Sequence, residues 1–178
     1  KDIENVGVTG RHYTSFCMIG QTVNADADGG YWKDKCIEID YVMLNKILGI
    51  PDDEITFVED VWIGAGAFGC SLEYYVRGLE LGNAVFTEFE GNEKDYRLLS
   101  NKIIDMGAGL ERLSWITMGT PTNYDCTFGP VINKLFNITN TEYNSEIFAK
   151  YIRILSGKFS AYENDLSSLH ELISKEFS

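Results

Sequence analysis

Residues 103–115, Ile-Ile-Asp-Met-Gly-Ala-Gly-Leu-Glu-Arg-Leu-Ser-Trp, constrain this chain more than any other stretch. A β-branched pair opens the run as a buried strand would. Gly107 and Gly109 follow one residue apart, where a side chain would keep another molecule off the backbone. Leu110, Leu113 and Ile116 then recur at helical spacing, so the pattern predicts a strand passing through a glycine turn into a helix. Asp105 falls at the last strand position. Arg112 falls in the first helical turn, where orphan N–H groups also favour an anion. A carboxylate and a guanidinium thus flank bare backbone, one suited to an ammonium group and the other to a phosphate. The same residues also suit a plain strand–helix joint with a surface Asp and Arg.

The chain has 178 residues, room for one moderate domain or one domain and part of another. Its net charge of −12 argues against non-specific coating of nucleic acid, which needs a broad basic field, but leaves room for one local RNA site. No apolar run is long enough for a membrane span, and no secretory signal pattern is present. Cys17, Cys36, Cys70 and Cys126 are widely spaced, which predicts reduced thiols in a cytosolic protein rather than zinc ligands or disulfides. His12 and His170, the two histidines, lack the surroundings of a catalytic triad. The sequence reads as a piece of a longer polypeptide.

Residues 11–20 alternate loosely and predict a strand leaving a loop, followed by a turn at 24–30. A helix is expected over 33–48, with Ile37, Tyr41, Leu44 and Leu48 as its stripe and Gly49 and Pro51 as its stop. A short strand at 55–58 leads to Gly64-Ala65-Gly66-Ala67-Phe68-Gly69, which spells the dinucleotide fingerprint. That fingerprint requires a helix to open at its last glycine, and the residues that follow have strand character instead. Strands near 71–76 and 83–90, turns at Gly78 and 91–95, and a last strand ending at Asp105 make an antiparallel meander. A helix over 110–118 leaves the sheet. Residues 119–123 then mark a boundary between domains 1–120 and 121–178, the latter all-helical with segments near 128–136, 145–156 and 165–177.

An antiparallel sheet whose last strand meets Gly107-Ala108-Gly109-Leu110-Glu111-Arg112 resembles motif 3 of the class II aminoacyl-tRNA synthetases. Four further segments, in order, resemble the archaeal-type alanyl branch of that family. Residues 5–16 are similar to the loop and second strand of its motif 2. Residues 59–62 are similar to its Trp-bearing segment, residues 77–86 to its Asn-bearing strand, and residues 119–125 to its lead-in to the tRNA-recognition helices. The resemblance implies an α+β class II fold, an antiparallel sheet flanked by helices and followed by an all-helical segment.

It also implies a cytoplasmic ligase that joins alanine to ATP as alanyl-adenylate, releases pyrophosphate and passes alanine to the 3′ end of tRNA(Ala). Asp105 would bind the alanine ammonium, Asn83 its carboxylate, and Trp62 would wall the methyl pocket. Phe16 would lie on adenine, backbone near Met18 would read its edge, and Gly107 and Gly109 would let ATP lie close. Arg112 would hold the outer phosphates. Mg²⁺ would accompany ATP, with Glu73 and Glu88 as carboxylates to consider and no metal ligand singled out. Arg11 and His12 are either a solvated pair or contacts to phosphate or the tRNA end. Trp62 and Phe16 equally suit a core, and Asn83 a turn cap.

Motif 1, the first strand of motif 2 with its phosphate-binding Arg, and the editing regions would come from the remainder of the same polypeptide. Cys17 stands where an acidic residue is common, and 67–70 replace a Pro-rich loop. A synthetase-like paralogue that binds nucleotide or RNA without catalysis is the alternative.

Overall fold

The computed structural model describes residues 5, 6, 10–92 and 94–139. The chain forms two compact units, one of Cys17–Leu113 and one of Lys1–Phe16 with Ser114–Ser178. The first holds a five-stranded antiparallel sheet. Its strands are β1 (Met18–Asn24), β2 (Ile55–Gly64), β3 (Ala67–Val76), β4 (Leu79–Asn92) and β5 (Asp95–Gly109), in the spatial order β1-β5-β4-β3-β2. Helix α1 (Lys33–Val42) lies between β1 and β2 in sequence, and α2 (Leu110–Met118) follows β5 without a linker. The expected antiparallel α+β architecture is therefore present.

Short turn chemistry explains the meander. Ala65-Gly66 and Arg77-Gly78 all have positive φ (53°, 77°, 52° and 76°), the backbone that closes two-residue hairpins with the native strand twist. The glycine-rich segment after Trp62 is thus the β2–β3 hairpin, as the strand character of its sequel requires. One face of the sheet supplies the core: Tyr74, Val76, Leu81, Ala84, Phe86, Ile104, Met106 and Ala108 are all buried. Cys36 and Leu44 are also buried, Cys36 hydrogen-bonds Gln21, and Trp32 meets the Phe86 ring edge-on. The helix stripe is offset from expectation, since Cys36, Asp40 and Leu44 are buried while Ile37, Tyr41 and Leu48 are only half so. From Met43 the helix widens into a π turn over Met43–Ile47 and stops at Gly49, whose φ of 72° suits glycine.

The strands run longer than the sequence reading expects, with β2 continuing to Gly64, β3 starting at Ala67 and β4 at Leu79, and two further differences bear on the site. The first strand begins at Met18, not near Arg11, because its partner β5 gives way to α2 at Gly109, opposite Met18. Residues before Met18 have no strand left to pair with. At the other boundary, Asp105 does not end its strand and no glycine turn follows. Gly107 and Gly109 are extended ladder residues, paired with Gly20 and Met18, and the helix starts at the next residue. The glycines serve bareness rather than bending.

In the other unit, α3 (Asn123–Thr139) begins with reciprocal capping. Thr122 accepts at Oγ1 from the Asp125 N–H (3.3 Å), and Asp125 accepts from the Thr122 N–H (2.9 Å). A kink at Phe128 precedes Pro130, which cannot donate to the helix ladder. Gly119 (φ 63°) and the Trp115 indole N–H on the Thr120 carbonyl (2.7 Å) close the turn before it. The helical segments expected at 145–156 and 165–177 lie outside the described residues.

Candidate active site

Antiparallel partners point to the same side of a sheet, so the register fixes which residues share a face. On β5, Ile104, Met106 and Ala108 turn to the core; Asp105, Gly107 and Gly109 therefore turn to the other face. Asp105 is paired with Thr22 of β1 and Val85 of β4, and Gly107 with Gly20 and Asn83. Gly20 and Gly107 thus lie side by side as bare backbone. Asp105 and Val85 bound that strip on one side and Met18 and Gly109 on the other. Asn83 stands next to it on β4.

The Asp105 carboxylate is exposed, and among the described residues it has no side-chain hydrogen bond or ion pair. Asn83 presents the opposite situation: its Oδ1 is buried without a partner. A half-turn of the amide exchanges acceptor for donor, so this position has hydrogen-bonding capacity that a ligand would complete. A Cβ at Gly107 would collide with the Met18 Cε, so the thioether lies across the strip. Met18 is 62% exposed and flexible, a cover that a ligand moves aside at small cost.

Arg112 is brought to the far end of the strip. Its stem lies 3.6–3.7 Å from where a Gly109 Cβ would be, and its Nη1 donates to the Glu80 carbonyl at 2.8 Å. Glu111, its neighbour, accepts the Cys17 N–H on both carboxylate oxygens (3.0 and 3.2 Å), while Leu110 N–H donates to the Cys17 carbonyl. These bonds tie the start of β1 to the start of α2. Asp105 to Gly109 spans four strand steps, about 13 Å.

Trp62 does not join this group. It shares the face, but it is paired with Gly69 on the edge strand, three strands from β5, or about 14 Å. Its ring lies over Gly64, towards the hairpin end, and it is half-exposed. Thr22 stands on one side of Asp105, and the apolar side chain beside it on the other is Val85, buried at 9% exposure. Alternation from Asn83 along β4 is the sequence signal for it. Phe16 belongs to the other unit and is exposed.

The two carboxylates considered for a metal separate. Glu73 pairs with Asn83 on the site face and accepts from the Tyr75 hydroxyl (2.7 Å), which pushes the phenol up to about 12. Glu88 is ion-paired with Lys33 at 3.2 Å. Lys33 also approaches Phe86 of the core face, so Glu88 is drawn to the opposite side from Glu73. Among the described residues no three metal-ligating side chains cluster.

Comparison with known proteins gives the family. The family model described as tRNA synthetases class II (A) matches residues 1–152. The chain belongs to this class II family. An alanine--tRNA ligase of Nitrosopumilus maritimus is 56% identical over 175 residues, covering 98% of this chain and 20% of the relative. One from Cenarchaeum symbiosum is 61% identical over 155 residues, covering 86% and 17%. One from Methanocella arvoryzae is 46% identical, covering 87% and 18%. The chain therefore spans about a fifth of the length of these curated relatives.

Proposed function

We propose that this chain is part of a cytoplasmic alanine--tRNA ligase that activates alanine with ATP and loads it on tRNA(Ala). Residues 1–120 would belong to the catalytic domain and 121–178 to the tRNA-recognition helices. The observation that carries the reading is the bare glycine strip with Asp105 at one end and Arg112 at the other. The naming of the relatives as alanine--tRNA ligases supplies the amino acid.

In this reading the alanine ammonium docks on Asp105 by a charge-assisted bond. The Asn83 amide donates to the alanine carboxylate, orienting it without neutralising its nucleophilic oxygen. Val85 packs on the methyl group. A carboxylate oxygen then attacks the α-phosphorus of ATP, the bond to the bridging oxygen breaks, and pyrophosphate leaves. The 3′-terminal ribose hydroxyl of tRNA later attacks the alanyl carbonyl and expels AMP. No protein nucleophile is required, because positioning and charge stabilisation supply the catalysis. Met18 swings off Gly107 so that the phosphate chain lies on bare backbone. Arg112 holds the outer phosphates and stabilises the departing pyrophosphate.

Of Glu73 and Glu88 only Glu73 faces the site, and one carboxylate does not make a Mg²⁺ site, so the metal would come with the ATP phosphates. Motif 1 and the editing regions would lie in the remainder of the polypeptide. The test is ATP–pyrophosphate exchange by the full-length protein with alanine, serine and glycine. Exchange fastest with alanine is expected. Its absence with alanine would remove the assignment.

A further inference from the structure

Arg112 is held by both acceptors of a single residue. Its Nη1 donates to the Glu80 carbonyl at 2.8 Å and lies 3.5 Å from the Glu80 carboxylate Oε2. The local backbone sets this up. Between β3 and β4 the register passes from Tyr74–Gly82 to Tyr75–Glu80, leaving Leu81 as an extra residue. Such a bulge interrupts the ladder and re-aims the residues around it. The bulge is pinned because Leu81 is 1% exposed in the core. Glu80, paired with Tyr75 rather than with the residue that unbroken counting would give, then meets Arg112.

We propose that Glu80 is the positioning residue for Arg112: its carbonyl and carboxylate hold one edge of the guanidinium so that the group meets the outer phosphates of ATP in one orientation. This rests on the phosphate role given to Arg112 above. A long side chain left unanchored would lose rotamer freedom on meeting phosphate, and pre-anchoring removes that cost from binding. The negative charge of Glu80 opposes phosphate, but it sits beside a guanidinium that neutralises it. Geometry therefore outweighs charge, and an uncharged acceptor at this position does the same work.

The test uses the full-length protein and calorimetric titration with ATP and, separately, with AMP. Glu80→Ala is expected to weaken ATP binding about tenfold while leaving AMP binding within about twofold, and Glu80→Gln to restore ATP binding to within about threefold. Glu80→Asp withdraws the carboxylate by one methylene and is expected to weaken ATP alone, so the test survives if the alanine variant does not fold. Equal weakening of ATP and AMP would mean a merely structural role and overturn the proposal, as would unchanged ATP affinity or a Gln variant as weak as Ala. Alanine-dependent exchange on the same preparations judges the function separately: wild-type protein that binds ATP but does not exchange overturns the ligase reading, while the titration still decides Glu80.

Discussion

At the scale of single residues, the proposed site is tested at Asp105 and Gly107. Asp105→Ala in the full-length protein is expected to lower alanine-dependent exchange by at least about a hundredfold, since an ammonium would lose its counter-charge. Because Asp105 is exposed, the melting temperature should barely move. Exchange near wild-type level would show that the ammonium sits elsewhere. Gly107→Ala places a methyl where Met18 Cε now rests, so the fold should adjust by moving the thioether while ATP binding falls. Asn83 came from the family resemblance alone, whereas Asp105, Arg112 and both glycines were legible in the sequence because each breaks a pattern: charges at a strand–helix joint, glycines in a ladder. Val85, Gly20 and Glu80 were not, because a valine in a strand looks like core and cross-strand neighbours are set by register.

Asp40 shows the same limit on the core side. It is 2% exposed, and burial pushes its carboxyl up to about 6 although the Cys36 thiol partly offsets this. A folded-state value above the unfolded one means the native state holds the proton more tightly. The contribution of Asp40 to stability is therefore least unfavourable below pH 3.8 and declines as pH rises to about 6, by about 3 kcal/mol. Asp40→Asn should remove that decline. Urea denaturation at pH 4 and pH 7 checks it: a wild-type-minus-variant difference that does not change with pH would contradict the assignment.

At the scale of elements, glycines test why the strands run where they do. A Cβ at Gly69 would strike the backbone carbonyl of Phe86 on β4, and backbone cannot step aside as a methionine can. Gly69→Ala should cost several kcal/mol, about the size of severe core overpacking. Gly78→Ala meets nothing within 4 Å and carries only the strain of φ 76°, about 1 kcal/mol. Comparative melting of the two variants would settle the order, and equal shifts would refute it. The turns at Gly78 and 91–95 and helix α2 were readable from turn residues and leucine spacing, but the Ala65-Gly66 hairpin was not, since its first strand was expected to end at Val58. Strand ends were not, because β1 stops where its partner stops, and Gly107 and Gly109 look the same in sequence whether they bend or extend.

At the scale of the whole molecule, charge limits how the tRNA of the proposed function could be met. With a net charge of −12, the chain offers no broad basic field, so tRNA binding through it should rest on few phosphate contacts. Filter binding of the full-length protein over a salt series should show a shallow dependence attributable to this region, with substitutions of its acidic surface leaving the slope unchanged; a slope that steepens would contradict that. The family is set by the match over residues 1–152, and the chain spans about a fifth of the length of its curated relatives. If Val85 packs on the substrate methyl as proposed, exchange with serine and glycine should fall only modestly below that with alanine, since one methyl or hydroxyl gives little discrimination.

The most direct measurement is a structure of the full-length protein with a non-hydrolysable sulfamoyl analogue of alanyl-adenylate. The ammonium of the analogue should sit within hydrogen-bonding distance of Asp105, its sulfamoyl group over Gly107 with Met18 displaced, and Arg112 beyond it. An analogue bound away from this face, or one whose ammonium is met by another residue while Asp105 stays in solvent, would contradict the account.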